Sequence, residues 1–171
     1  MGVRIALIVL GSFAVAWSWV GLHLSGAPTG LMIAPIAVSL AIVAVGWRAA
    51  GTVPARGPRV GRLVGLWTAI EFVALFVTAN ILVNVHRADL MLPAGAIIVG
   101  LHFFPLARGI PVRIYHATGA GLVSLGLIGL LLPVDRRPIL IGLGAAAILW
   151  ATALAIIVQA RRSAAAPLTA A

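Results

Sequence analysis

The stretch from Leu63 to Val85, LVGLWTAIEFVALFVTANILVNV, decides the fold class of this 171-residue chain. Its 23 residues include one ionisable side chain, that of Glu71. A helix of this length, rising 1.5 Å per residue, is about 34 Å long and therefore crosses a hydrocarbon core of about 30 Å. The sequence thus predicts a membrane-spanning helix in this stretch.

Five further apolar runs of similar character are bounded by Arg, Asp, Pro or Gly residues. Together the six predicted spans are residues 5–24, 30–47, 63–85, 90–107, 115–134 and 139–160. The chain is 63% hydrophobic and only 9% charged, about a third of the charged fraction of an ordinary soluble domain. We therefore predict an all-α polytopic membrane protein with six transmembrane helices. They form a single transmembrane domain over residues 1–162, followed by a disordered tail over residues 163–171.

The distribution of charge predicts the orientation of the spans. All 12 basic residues are arginines, and nine of them lie on the segments that share a side with the two termini. The other three are Arg87, Arg136 and Arg137. Because arginine-rich segments stay on the cytoplasmic side, both termini are predicted to be cytoplasmic. This rule also explains why the arginines occur singly or in pairs between apolar runs, so no nucleic-acid partner is expected.

Two features predict partners within the membrane. The loop from Arg48 to Arg62 carries four arginines, which are expected to lie against anionic lipid headgroups of the bilayer. Ala147, Ala151 and Ala155 recur at four-residue spacing, and small residues allow helix backbones to approach closely in lipid. This spacing predicts tight helix packing, within one subunit, across a homodimer or against another membrane protein.

A short sequence match indicates an internal repeat. The pentapeptide VGLHL at residues 20–24 recurs as VGLHF at residues 99–103. Each half of the chain would then contain three spans, and an odd number of spans gives the halves opposite orientations. The expected architecture is a 3+3 inverted repeat of the kind found in many secondary transporters.

Glu71 is the centre of the predicted polar core, since it is the only carboxylate within a span and lies near mid-membrane. It precedes Arg87, the predicted tip of a helical hairpin, by 16 residues, and His102 follows that tip by 15. Equal distances from the tip place both side chains at the same depth. Other candidate polar residues on this span are Thr68 and Thr78 on the face of Glu71, with Asn80 and Asn84 on a nearly opposite face.

Two interpretations of Glu71 and His102 stay open at this point. One is a hydrogen-bonded pair that fixes the register of two helices. The other is a pair that handles protons or cations, because a buried carboxylate and a buried imidazole can approach each other in proton affinity. An intramembrane ionisable residue is a functional hypothesis by default.

A second candidate site lies near the inner ends of spans four and five. Arg108, Arg113, Tyr115 and His116 flank a short turn and are predicted to form an anion or headgroup site. The alternative is that the arginines extend to the headgroups beside an interfacial tyrosine.

The sequence lacks the residues and motifs that several kinds of catalytic and metal site require. There is no cysteine or lysine, the four histidines have no metal-ligand spacing, and neither GxSxG nor Walker A motifs occur. We therefore expect no metal, no cofactor and no enzymatic activity. The hypotheses that remain are a small transporter-like protein that handles protons or a solute, and a non-catalytic membrane scaffold or accessory subunit.

The segment Pro93 to Gly119, with the core VGLHFFPLARGIPVRIYHATG, resembles part of a known protein class. It is similar to small six-span bacterial membrane proteins of a domain-of-unknown-function type. The resemblance covers spans three to five and includes no catalytic motif. It implies a multi-pass protein of the bacterial cytoplasmic (inner) membrane and implies no particular chemistry.

Overall fold

A computed structural model describes residues 2–49, 58–109 and 113–165 of the chain. In these ranges the protein is helical and contains no strand. The main helices are α1 (Val3–Leu24), α2 (Ile33–Ala49), α3 (Pro58–Asn84), α4 (Met91–Gly109), α5 (Ile114–Leu131) and α6 (Arg137–Ala165). All six are long and apolar enough to span a membrane, which confirms the predicted all-α, six-helix architecture.

One end each of α3, α5 and α6 differs from the predicted spans. The third helix begins at Pro58 rather than at Leu63, because proline is well suited to the first helical turn. The fifth ends at Leu131, two residues before Pro133 and before the predicted end at Val134. The last helix continues to Ala165, so the predicted tail overlaps it at residues 163–165; the rest of the tail lies outside the described residues.

The turns after α1 and α3 share one hydrogen-bonding pattern. In each, three consecutive backbone N–H groups bond back to carbonyls of the last helical turn, and the middle one of these three residues has a positive φ. That residue is Gly26 after α1, with φ of 72°, and His86 after α3, with φ of 56°. Only a single 3₁₀ turn, Ala88–Leu90, then separates His86 and Arg87 from α4. As a result α3 and α4 form a tight antiparallel hairpin.

Glycines set the closest helix contacts. At the crossing of α1 and α6, a Cβ added to Gly21 would lie 2.8 Å from the Cα of Gly142. At the crossing of α4 and α5, a Cβ on Gly100 would lie 2.8 Å from the carbonyl oxygen of Gly119. Backbone therefore meets backbone at both crossings, which is how helices associate closely in lipid.

The core lies between α1, α4, α5 and α6, whereas α3 is peripheral. Its main helix neighbour is α4, and most of its side chains are exposed or only half buried. On α6 the core is contacted by Ala145, Ala146, Leu149 and Ala153. The predicted packing stripe lies on another face of this helix, with Ala147 and Ala151 exposed and Ala155 half buried.

Buried polar side chains elsewhere in the bundle have hydrogen-bond partners. Trp150 Nε1 donates to Ser39 Oγ at 2.9 Å, and that hydroxyl donates to the carbonyl of Gly11 at 3.1 Å. The hydroxyls of Thr118 and Thr152 are 2.7 Å apart between α5 and α6. These bonds connect neighbouring helices and give the polar groups a structural role.

Candidate functional site

The candidate site is the contact between Glu71 on α3 and His102 on α4. Glu71 Oε2 lies 3.4 Å from His102 Nδ1, and the two side chains are only 8% and 10% exposed. The same imidazole nitrogen lies 3.1 Å from the carbonyl oxygen of Trp67. Because a carbonyl only accepts, Nδ1 carries the hydrogen in this contact, and Glu71 and Trp67 compete for it.

The α3–α4 hairpin explains why these two residues meet. Its short connection keeps the helices antiparallel and in contact, so residues equally distant from the tip lie side by side. Both side chains turn toward the interior of the bundle.

A cavity of about 320 Å³ lies directly beside the pair. Five helices contribute to its wall, and we call it the Glu71 cavity. Its lining residues are Ala6, Val9, Leu10 and Phe13 of α1, Val64, Thr68, Glu71 and Phe72 of α3, Val99, His102, Phe103 and Leu106 of α4, Tyr115 of α5, and Leu149 of α6. Such a volume and a mostly apolar lining with a few convergent polar groups are typical of small-molecule sites, which span about 300–1,000 Å³.

The Glu71 cavity opens between α1 and α3. Its exposed lining residues all belong to these two helices: Val9 is 39% exposed, Phe13 38% and Phe72 59%. The lining residues from α5 and α6 are buried, as are those from α4 except His102, whose side chain is still only 10% exposed. The helices α1 and α3 also do not pack closely on each other along their described lengths. The mouth is therefore apolar and lies on the outer surface of the bundle, between two helices that are long and apolar enough to span a membrane.

The other predicted polar residues of span three are not brought together with Glu71. Thr68 lines the cavity one turn before Glu71, whereas Thr78 is half buried outside the lining. Asn80 and Asn84 are exposed, and the Asn80 side-chain amide donates to the carbonyl of Phe76 in its own helix at 2.8 Å. Of the candidates on this helix, only Thr68 accompanies Glu71.

The four residues predicted to form an inner-face anion or headgroup site do not lie together in the structure. Arg108, Arg113 and His116 are exposed, and His116 lies beside the Phe104 ring with ring centroids 6.0 Å apart. Tyr115 instead points inward, where its ring contacts that of Phe103 with centroids 5.5 Å apart. It therefore belongs to the wall of the Glu71 cavity. In the predicted headgroup loop, Arg48 and Arg62 are exposed, and residues 50–57 lie outside the described residues.

Comparison with protein-family models, curated proteins and solved structures gives no match. The resemblance to small six-span bacterial membrane proteins therefore stays a prediction.

An ion-pair cluster lies at the tip of the hairpin, and the participation of Arg137 in it was not predicted from the sequence. Asp89 accepts hydrogen bonds from Arg87, at 3.0 and 3.3 Å, and from the buried side chain of Arg137. The carboxylate of Asp89 raises the pKa of the Arg87 guanidinium above its ordinary value through this hydrogen bond. Arg137 also donates to the carbonyls of Leu132 and Leu130. The cluster joins the α3–α4 connection to the α5–α6 connection.

The arrangement around Glu71 permits proton or cation exchange but offers no metal centre. Among the residues the structure describes, no group of three or more His, Cys, Asp or Glu side chains is placed to hold a metal ion. A carboxylate that borders a cavity can instead take a proton or pair with one positively charged group. The imidazole beside it provides a second group able to accept or donate a proton.

Proposed function

We propose that this protein is a small membrane transporter that uses the Glu71–His102 pair to couple proton binding to movement of a solute. One observation carries the proposal: a buried carboxylate contacts an imidazole on the wall of a cavity that has an opening. A pair that only fixed helix register would be expected in a closed, dry contact. Access of a solute to the carboxylate is what distinguishes a transport site from such a contact.

The chemistry of the pair supports proton coupling. A charged carboxylate is unfavourable inside a bilayer unless a proton or a cation compensates it. Release of a proton from Glu71 would therefore favour binding of a cation, and loss of the cation would favour reprotonation. Exchange of this kind couples the two species at one residue.

The proposal includes a bacterial cytoplasmic membrane location with both termini in the cytoplasm and a 3+3 inverted repeat. The nine-to-three distribution of arginines supports the orientation. For the repeat, support comes from helix contacts: α1 packs on α2 and α6, and the corresponding α4 packs on α5 and α3. The packing of α5 on α6 has no equally close counterpart between the described parts of α2 and α3.

Proton flux into proteoliposomes tests the transport function. The full-length protein is reconstituted with a pH-sensitive dye inside, a pH gradient is imposed, and Na⁺, K⁺ or benzyltrimethylammonium is supplied in separate assays. Wild type is expected to dissipate the gradient faster than protein-free liposomes with at least one of these ions. With Glu71→Gln the rate is expected to fall to that of protein-free liposomes, because a neutral amide cannot exchange a proton.

Asp135→Asn is the matched control, since it removes one carboxylate charge from an exposed connection far from the cavity. It is expected to transport like wild type. Equal rates for wild type and Glu71→Gln with all three ions, in protein that elutes as a single folded species, would contradict the transport function.

The exposed position of Ala147 and Ala151 favours a second candidate function, that of a membrane scaffold or accessory subunit. Small residues on an outward helix face allow a second copy of the chain, or another membrane protein, to approach closely. Ala151→Leu is then expected to convert a dimer in nanodiscs or mild detergent to a monomer, as measured by light scattering. The exposed Leu154→Ala on the same helix serves as the control. A wild-type protein that is already monomeric would exclude the homodimer.

A further inference from the structure

The lining of the Glu71 cavity restricts the kind of molecule that fits there. Apolar and aromatic side chains form most of it, and Phe13, Phe72 and Phe103 bring rings from three different helices. Its ionisable groups are Glu71 on α3, His102 on α4 and Tyr115 on α5, while the α1 and α6 linings are apolar. No arginine is among the described lining residues. Of these three groups, the carboxyl group of Glu71 is the one that most readily carries a negative charge.

The charge of Glu71 is only weakly compensated by the protein. His102 is its nearest ionisable neighbour, with Nδ1 3.4 Å from Oε2, but that nitrogen makes its hydrogen bond, at 3.1 Å, with the Trp67 carbonyl. The contact with Trp67 does not require a protonated, cationic imidazole. A carboxylate in this setting favours one added positive charge, either a proton or the head of a bound cation.

The aromatic rings of the lining also favour a positively charged ligand. A cation near the face of an aromatic ring is attracted by the ring quadrupole, most strongly where water is excluded. A cavity lined by one carboxylate and several aromatic side chains is therefore suited to an ammonium group that carries apolar substituents. An anion would be repelled by Glu71, and a small inorganic cation would leave the apolar wall without contacts.

The mouth of the cavity indicates the route of entry. Val9, Phe13 and Phe72 are apolar, exposed and within the spans of α1 and α3. A molecule that is already dissolved in the bilayer can reach such a mouth without crossing a polar surface. The position of the mouth thus favours ligands that partition into membranes.

We infer that the Glu71 cavity binds a lipophilic organic cation, an amine or quaternary ammonium that enters from the bilayer between α1 and α3 and replaces a proton at Glu71. The inference rests on the proposed function, because it names the substrate class of the same site. It adds that the substrate is amphipathic and carries one positive charge. As the cation binds, the O–H bond of the Glu71 carboxyl group breaks and its proton passes to water; no covalent bond forms between the ligand and the protein.

Equilibrium binding of benzyltrimethylammonium to the purified full-length protein in nanodiscs tests this inference without any gradient. Its permanent charge removes protonation of the ligand as a variable. Saturable binding is expected for wild type and for Asp135→Asn. Binding is expected to weaken about 30-fold or more in Glu71→Gln, the smallest loss expected when one member of a buried charge pair is neutralised. It should also weaken as pH falls, because protons compete for Glu71.

Wild-type protein provides a test that does not depend on the folding of any variant. Neopentylbenzene is the neutral carbon analogue of the probe, and it is expected not to displace bound benzyltrimethylammonium. Displacement by the neutral analogue, or unchanged binding in folded Glu71→Gln, would show an apolar pocket without charge selectivity and overturn the inference.

The two proposals fail in different ways. If Na⁺ or K⁺ drives Glu71-dependent proton flux while benzyltrimethylammonium does not bind, the ligand class is wrong and the transport function stands. If the probe binds in a Glu71-dependent manner but no ion drives proton flux, the ligand class stands and the transport function is wrong.

Discussion

Gly142→Ala is expected to destabilise the protein by about 3 kcal/mol, the upper end of the usual range for overpacking. A Cβ at this position would lie 2.5 Å from the Cα of Gly21 and 2.7 Å from the carbonyl oxygen of Trp17. These are backbone atoms of α1, so no side chain can rotate to make room. The two helices have to separate instead, and their close packing is lost along the crossing.

Gly65→Ala is the matched control for this substitution. It also adds one methyl group within a helix, but nothing lies within 4 Å of the new Cβ. It is expected to be neutral or to stabilise by up to about 1 kcal/mol, because alanine favours helix over glycine. Unfolding in mixed micelles with increasing SDS, followed by circular dichroism, measures both variants. If the two unfolded at the same SDS fraction, the α1–α6 crossing would not be as close as described.

This crossing also matters for the candidate site. Four residues of α1 line the Glu71 cavity, and α6 contributes Leu149 from the other side of the crossing. Displacement of α1 from α6 therefore changes the position of the cavity wall and of its mouth. Gly142→Ala is consequently expected to weaken cation binding even though Gly142 does not line the cavity.

Hydropathy and length were sufficient to predict the six helices. An apolar run of about 20 residues has few alternatives to a transmembrane helix, because the backbone must satisfy its own hydrogen bonds in lipid. The equal depth of Glu71 and His102 was also predictable, since a short hairpin connection fixes the register of neighbouring antiparallel helices. Both inferences depend on local sequence alone.

The remainder of the site depends on which distant helices meet. Phe13 and Tyr115 line the cavity because α1 and α5 flank the α3–α4 hairpin, and no local pattern encodes that order. Tyr115 was interpreted as an inner-face residue because it lies beside Arg113 and His116 in sequence. Its side chain turns inward while theirs stay exposed, a difference that helical rotation decides.

The face of α6 that packs in the core could likewise not be predicted from its alanines. Alanines are so frequent in this helix that small-residue spacing can be found on more than one face. The four-residue spacing predicts packing through Ala147, Ala151 and Ala155, whereas Ala145, Ala146 and Ala153 contact the core. Only the position of Gly142 against Gly21 identifies the face that packs on α1.

Arg137→Ala is expected to destabilise the protein by about 2 kcal/mol, within the range for leaving buried hydrogen-bond acceptors without their donor. The Arg137 side chain is 10% exposed and donates to Asp89 and to two backbone carbonyls. Its removal leaves those carbonyls without their charged donor. The neighbouring Arg136→Ala is the control: this side chain is 72% exposed, and its loss should change stability by less than about 0.5 kcal/mol.

Asp89→Asn combined with Arg137→Ala shows whether the interaction between these two side chains accounts for the loss of stability. Asp89→Asn alone should destabilise, because it leaves the buried guanidinium without a carboxylate. In the double variant that guanidinium is gone, so the combined loss should be clearly smaller than the sum of the single losses. Additive losses in SDS unfolding would contradict a direct interaction.

The interaction between Asp89 and Arg137 also matters for the candidate site. The helix that carries Glu71, α3, packs mainly on α4, and Asp89 holds the beginning of α4 against the beginning of α6. Loss of the pair should therefore also weaken cation binding, since the hairpin that places Glu71 beside His102 is then held to the bundle by fewer contacts.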